Sequence, residues 1–117
     1  MEISGQAVLL RVFIGESDKL GHRPLYEAIV KKARDTGLAG ATVLKAVLGY
    51  GATARIRTHK ILDLSSDLSL VIEIVDEEEK ISRFQETLSE IFEQAGCGGL
   101  VTLENIRVIQ YVPQSGD

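Results

Sequence analysis

Gly49-Tyr50-Gly51 is followed within a few residues by Arg55, Arg57 and His59. Glycines let a backbone approach a ligand closely, and basic residues two apart share one face of an extended ribbon. Guanidinium groups on such a face can grip phosphate or carboxylate through charge-assisted hydrogen bonds. The same spacing also fits a plain strand-ending turn followed by a solvated basic hairpin. A second candidate is the turn Gly15-Glu16-Ser17-Asp18 leading to His22-Arg23-Pro24. Amides at such a strand-to-helix turn can receive an anion, although local hydrogen bonds among turn residues explain the composition equally well.

Other chemistries find less to work with. His22, His59 and Cys97 are far apart in the chain, with no Cys-x-x-Cys or His-x-x-x-His spacing, so no metal site is expected. Ser17 and Asp18 have no obvious base beside them. The acidic run 76–79 is explained by the positive end of a helix dipole and needs no catalytic carboxylate pair. An acylphosphatase-like enzyme would need an asparagine near its basic anion loop. The single asparagine, Asn105, lies in the final segment, and nothing places it beside Arg23. No catalytic residue is assigned, and the chain is not read as an enzyme.

Composition narrows the partners. The 117 residues are 44% apolar and 26% charged, which suits a single domain spanning 1–117 with one core. A formal charge of -4 argues against general nucleic-acid binding, because neutralising a phosphate backbone needs a basic face. With Cys97 as the lone cysteine, no intrachain disulfide can form, which fits a reducing, cytoplasmic setting. The start lacks a basic region before an apolar stretch, and apolar runs are broken by Arg11 or glycine. Neither a signal peptide nor a membrane-embedded segment is expected.

The elements that must position the candidates follow from periodicity. Val8, Leu10, Val12 and Ile14 alternate with Leu9, Arg11 and Phe13, which predicts a strand apolar on both faces. Pro24 suits a first helical turn. Leu25, Ala28, Ile29 and Ala33 form one stripe of a helix that ends at Gly37. Residues 42–48 predict a second strand that runs into the Gly49 turn. The stretch 52–67 is polar with little apolar anchorage and is expected to be mobile without a ligand. Residues 69–75 predict a third strand. Asp76 then reads as the cap of a second helix, with Glu79 at the capping-box position. Ile81, Phe84, Leu88, Ile91, Phe92 and Ala95 give that helix its apolar face. Residues 96–99 stop it, and 100–111 supply a final strand or strand pair.

The order β-α-β-β-α-β predicts an α+β, ferredoxin-like (split βαβ) sandwich, an antiparallel sheet with two helices on one face. Two helices cover only one side of such a sheet, yet the first and third strands are apolar on both. The second face calls for another copy of the chain, since the patch is large for a monomer.

Gly15-Glu16-Ser17-Asp18, the runs 23–30 and 37–43, Gly49-Tyr50-Gly51-Ala52 and the run 71–76 together resemble the PII-like family catalogued as domain of unknown function one-ninety. The resemblance spans nearly the whole chain. That family is similar to the PII (GlnB-like) signalling proteins, whose trimers bind nucleotides between subunits and present a mobile loop to targets. The resemblance therefore implies a homotrimeric regulator that senses a small anionic ligand, an adenine nucleotide first, and holds no permanent cofactor. The expected ligand-binding residues are Gly49, Tyr50, Gly51, Arg55, Arg57, Gly15 and Arg23, with a protein target engaged through 52–67. Two alternatives stay open: a CutA-like trimer that binds divalent metal, and a pure interaction module that regulates a membrane transporter or channel.

Overall fold

The computed structural model describes residues 5–50, 57–58 and 68–114, with the backbone alone described at 57–58. Its elements in chain order are β1 (Gly5–Gly15), β2 (Lys19–Leu20), β3 (Arg23–Pro24), α1 (Leu25–Asp35) and β4 (Thr42–Lys45). They continue with β5 (Leu48–Gly49), β6 (Arg57–Thr58), β7 (Ser69–Asp76), α2 (Glu78–Ala95) and β8 (Leu100–Val108). The main sheet has the order β4-β7-β1-β8 with every neighbouring pair antiparallel. Two βαβ units are thus interleaved, with β1 and β7 at the centre. This is the ferredoxin-like α+β arrangement. The pairs β2–β3 and β5–β6 are small separate ladders.

Alternation along the central strands decides where the core lies. Val8, Leu10, Val12 and Ile14 of β1 and Leu70, Ile72 and Ile74 of β7 are buried together. Leu25, Ile29 and Ala33 of α1 and Ile81, Phe84, Leu88 and Ile91 of α2 close over them. Each helix buries the stripe its spacing predicts.

The opposite sheet face is left uncovered by the described residues. Leu9, Arg11 and Phe13 of β1 are in register with Val75, Glu73 and Val71 of β7, and all six are only half-buried. Leu44 and Leu100, in register with Val71 and Phe13 respectively, are 49% and 57% exposed. In the middle of this face, Arg11 donates to Glu73 and to Glu104, each at 3.0 Å. The hydrogen bond to Glu73, followed by that to Glu104, holds the guanidinium pKa above its ordinary value. The sequence marks both rows of β1 and β7 for burial, but the described residues of a single copy bury only one.

Four local expectations are corrected. The strand expected over 42–48 ends at Lys45. Ala46 still reaches β7, its N–H donating to the Ser69 carbonyl at 2.8 Å, and Leu48–Gly49 then pairs with Arg57–Thr58 instead of β7. The final strand likewise ends at Val108, short of Tyr111. Pro24 closes the β3 ladder with an extended ψ of 133°, so α1 starts at Leu25, one residue after it. Asp76 does not cap α2. It is the last residue of β7, fully buried, and its carboxylate accepts the N–H groups of Ala39 at 2.9 Å and Glu77 at 2.7 Å. Glu77 becomes the N-cap without a side-chain cap, and no capping box forms.

The helix stops match the sequence. After α1, Leu38 N–H donates to the Ala33 carbonyl and Gly37 N–H to the Arg34 carbonyl, each at 3.1 Å, the paired bonds of a Schellman ending. After α2, Gly96 takes a φ of 68°, a left-handed conformation that favours glycine.

Candidate functional site

Three chain reversals meet at one end of the sheet. They are the turn after β1, the β5 segment with Tyr50, and the link from α2 to β8. Between them lies a cleft of about 580 Å³, lined by Phe13, Ile14, Gly15, Asp18, Ala46, Leu48, Gly49, Tyr50, Ser69, Val71, Gly98, Gly99 and Leu100. Most of these side chains are apolar, and Asp18 is the one charged residue among them. The cleft opens beside the uncovered sheet face, which shares Phe13, Val71 and Leu100 with it.

The turn after β1 is tied down by its own residues. Asp18 Oδ2 accepts the Gly15 N–H at 2.9 Å, Asp18 N–H donates to the Gly15 carbonyl at 3.2 Å, and the Asp18 carbonyl accepts the Leu25 N–H at 2.8 Å. Asp18 therefore links the end of β1 to the start of α1. The Gly15 amide is already occupied, so Gly15 contributes a close backbone wall and no free donor. Glu16 N–H donates to the Leu68 carbonyl at 2.7 Å, and Glu16 Oε2 pairs with Lys45 Nζ at 2.7 Å. That hydrogen bond raises the Lys45 pKa above the usual lysine value and anchors the end of β4 beside the turn.

The sequence candidates divide. Gly15, Gly49 and Tyr50 line the same cleft. Arg57 is in register with Gly49 across the β5–β6 ladder, which sets its backbone at the cleft's rim. Arg23 stands apart, in a groove of about 350 Å³ with Tyr26, Glu27, Val30, Lys31, Arg34 and Val43. Gly51 and Arg55 lie outside the described residues. So does the rest of 52–67 apart from β6, including His59 and the expected mobility of that stretch.

The link after α2 is where sequence reasoning falls short. Residues 96–99 read in the sequence only as a helix stop, and Gly96 alone performs that task. Gly99 answers a different demand. A Cβ there would lie 2.7 and 2.8 Å from Phe92 ring carbons and 3.1 Å from the Phe13 carbonyl oxygen. The surplus of glycines beyond the one a helix cap needs is the available signal. Gly99→Ala is expected to cost about 1–3 kcal/mol through overpacking. Gly49→Ala, whose Cβ would meet only Ser69, with Oγ at 3.5 Å, should stay within about 0.5 kcal/mol. Urea unfolding of both variants checks this, and equal losses would refute the steric account.

A second cleft, of about 340 Å³, lies towards the other end of the uncovered face. Ala39, Gly40, Ala41 and Thr42 form one wall, Glu73 and Val75 another, and Val108, Gln110 and Tyr111 the third. Its lining mixes backbone, one carboxylate, an amide and a phenol. Among the described residues, no group of three or more His, Cys, Asp or Glu comes together to hold a metal ion. No described helix is long and apolar enough to cross a membrane.

Comparison with known proteins sets this geometry in a family. The family model DUF190, described as "Uncharacterized ACR, COG1993", matches residues 7–108. A UPF0166 protein of Aquifex aeolicus is 45% identical over 101 residues, covering 86% of this chain and 91% of that protein. A UPF0166 protein of Methanocaldococcus jannaschii is 35% identical over 103 residues, covering 88% and 92%. Among solved structures, the fold is similar to that of CPII, a nitrogen regulatory PII-like protein from Thiomonas intermedia K12, bound to ADP, AMP and bicarbonate. The TM-score is 0.67, with 18% identity and 90% of each chain covered.

Proposed function

The chain belongs to the DUF190 family, and we propose that it acts as a PII-like regulator that binds an adenine nucleotide in place of catalysing a reaction. The observation that carries this reading is the meeting of Gly15, Gly49-Tyr50 and Gly98-Gly99 around one mainly apolar cleft of about 580 Å³. Its size falls within the usual range for small-ligand sites. Leu48, Tyr50, Val71 and Leu100 offer apolar and aromatic surface to a purine, and Arg57, whose backbone is in register with Gly49, is the proposed phosphate contact together with Arg55. CPII, which has the same fold, was solved with ADP and AMP bound. That ligand class is the natural one to test here.

The regulator works as a homotrimer in the cytoplasm, as one domain. The uncovered face of β1 and β7 packs against neighbouring copies. The two clefts bordering that face then become the two sides of a junction between subunits, and the nucleotide sits between them. Residues 52–67 carry the signal to a protein target. The CutA-like metal reading has no cluster among the described residues to build on.

Titration of ADP against Arg55→Ala and Arg57→Ala by calorimetry tests the site. Loss of one charge-assisted contact, worth roughly 1.5–3 kcal/mol, should weaken binding by about 10- to 100-fold and leave assembly intact. Unchanged affinity in both variants would remove the arginines from the site and turn attention to Arg23.

A further inference from the structure

Asp76 breaks the pattern of its own strand. Leu70, Ile72 and Ile74 point into the core, and the next position in the same row is a carboxylate with no exposed surface. Among the described residues it is the one buried polar or charged side chain. Packing would be served as well by an apolar residue, since burying a charge is costly and is tolerated only when its hydrogen bonds are made. Asp76 makes them to backbone. One partner is the adjacent Glu77 N–H. The other is the Ala39 N–H, 37 residues away in the chain.

Ala39 begins the 39–42 wall of the cleft of about 340 Å³, and Glu73 and Val75, just before Asp76 on β7, form the adjoining wall. The two walls are joined at two points. Thr42 and Glu73 are in register in the β4–β7 ladder, and Asp76 holds Ala39. Between these pins, Gly40 and Ala41 carry their backbone past the cleft outside the β4 strand. We propose that Asp76 is a positioning residue, setting the separation between the 39–42 wall and β7 and thereby the affinity of that cleft for its ligand. The role rests on the proposed function, in which this cleft forms one side of the nucleotide junction.

The test compares the full chain with Asp76→Asn and with Leu88→Ala. An asparagine side chain would keep the shape of the aspartate but turn an NH2 group towards one of the two amide donors. Leu88, on the core-facing side of α2, lines neither cleft and controls for general loss of stability. Calorimetry with ADP should find binding to Asp76→Asn weakened about tenfold or more, with Leu88→Ala close to the natural chain. Hydrogen exchange in the ligand-free protein should show the Ala39 amide exchanging about tenfold faster in Asp76→Asn and no such local change in Leu88→Ala. If Asp76→Asn does not fold, Asp76→Ser, whose smaller hydroxyl accepts one N–H, takes its place. ADP affinity within twofold of the natural chain, or equal losses in the Leu88 control, overturns the positioning role. Absence of ADP binding by the natural chain overturns the nucleotide reading instead. Ala39 exchange then decides alone whether Asp76 holds the wall, and an unaltered Ala39 amide refutes it.

Discussion

A Leu9→Asp chain should sediment as a folded monomer at concentrations where the natural chain sediments as about three protomers. Leu9 is on the uncovered side of β1, half-buried, beside Val75 on one neighbouring strand and Glu104 on the other. Within one copy an aspartate there remains in reach of water, so the fold is kept. In an assembly packed through this face, the new carboxylate would be buried without a cation of its own and would oppose Glu104 across the strand pair. Burying an unpaired polar group costs roughly 4 kcal/mol or more, a factor of about 1,000 in association. Sedimentation equilibrium over a dilution series, with circular dichroism to verify folding, gives the answer. A trimer that survives Leu9→Asp would mean that copies associate through some other surface, and a natural chain that stays monomeric would sink the trimer itself.

Ile72→Ala should lower the unfolding free energy by about 2–5 kcal/mol, the usual penalty for emptying a fully buried aliphatic site. Ile72 has no exposed surface and lies in the middle of β7, beneath both helices. Its neighbour Val71 points the other way, so Val71→Ala should change monomer stability much less and show its effect in assembly. Unfolding by urea at protein concentrations below and above association separates the two. The contrast tests the assignment of faces directly, because a strand slipped by one residue would exchange the two outcomes.

The two strand faces are legible in the amino-acid sequence because side chains along a strand alternate with a period of two. Helix stripes are equally legible, from 25, 28, 29 and 33 in α1 and from 81, 84, 88 and 91 in α2. Both periodicities follow from backbone geometry within a short window, which is why they survive in the sequence. Asp76 misleads for the complementary reason. An acidic residue before a helix has an adequate local explanation as a cap, and the partner that redirects it, Ala39, is distant in the chain.

The same division separates the site residues. Gly15, Gly49 and Tyr50 stand out as turn residues with local signatures, and the sheet does bring them together. Arg23 stands out for its charge and its place before a helix, yet the β2–β3 hairpin carries it to a different groove. Phe13, Ser69, Val71 and Leu100 look like ordinary strand residues, and they line the cleft. Alternation and glycine stop signals, which act over a few residues, were enough for the amino-acid sequence alone to determine the order of the main elements, the buried faces and where both helices stop. Which turns meet around one cavity, why Gly99 has no room for a side chain, and what a buried carboxylate holds were decided only by tertiary structure. Those outcomes depend on strand order and on contacts between residues tens of positions apart, and no local pattern encodes them.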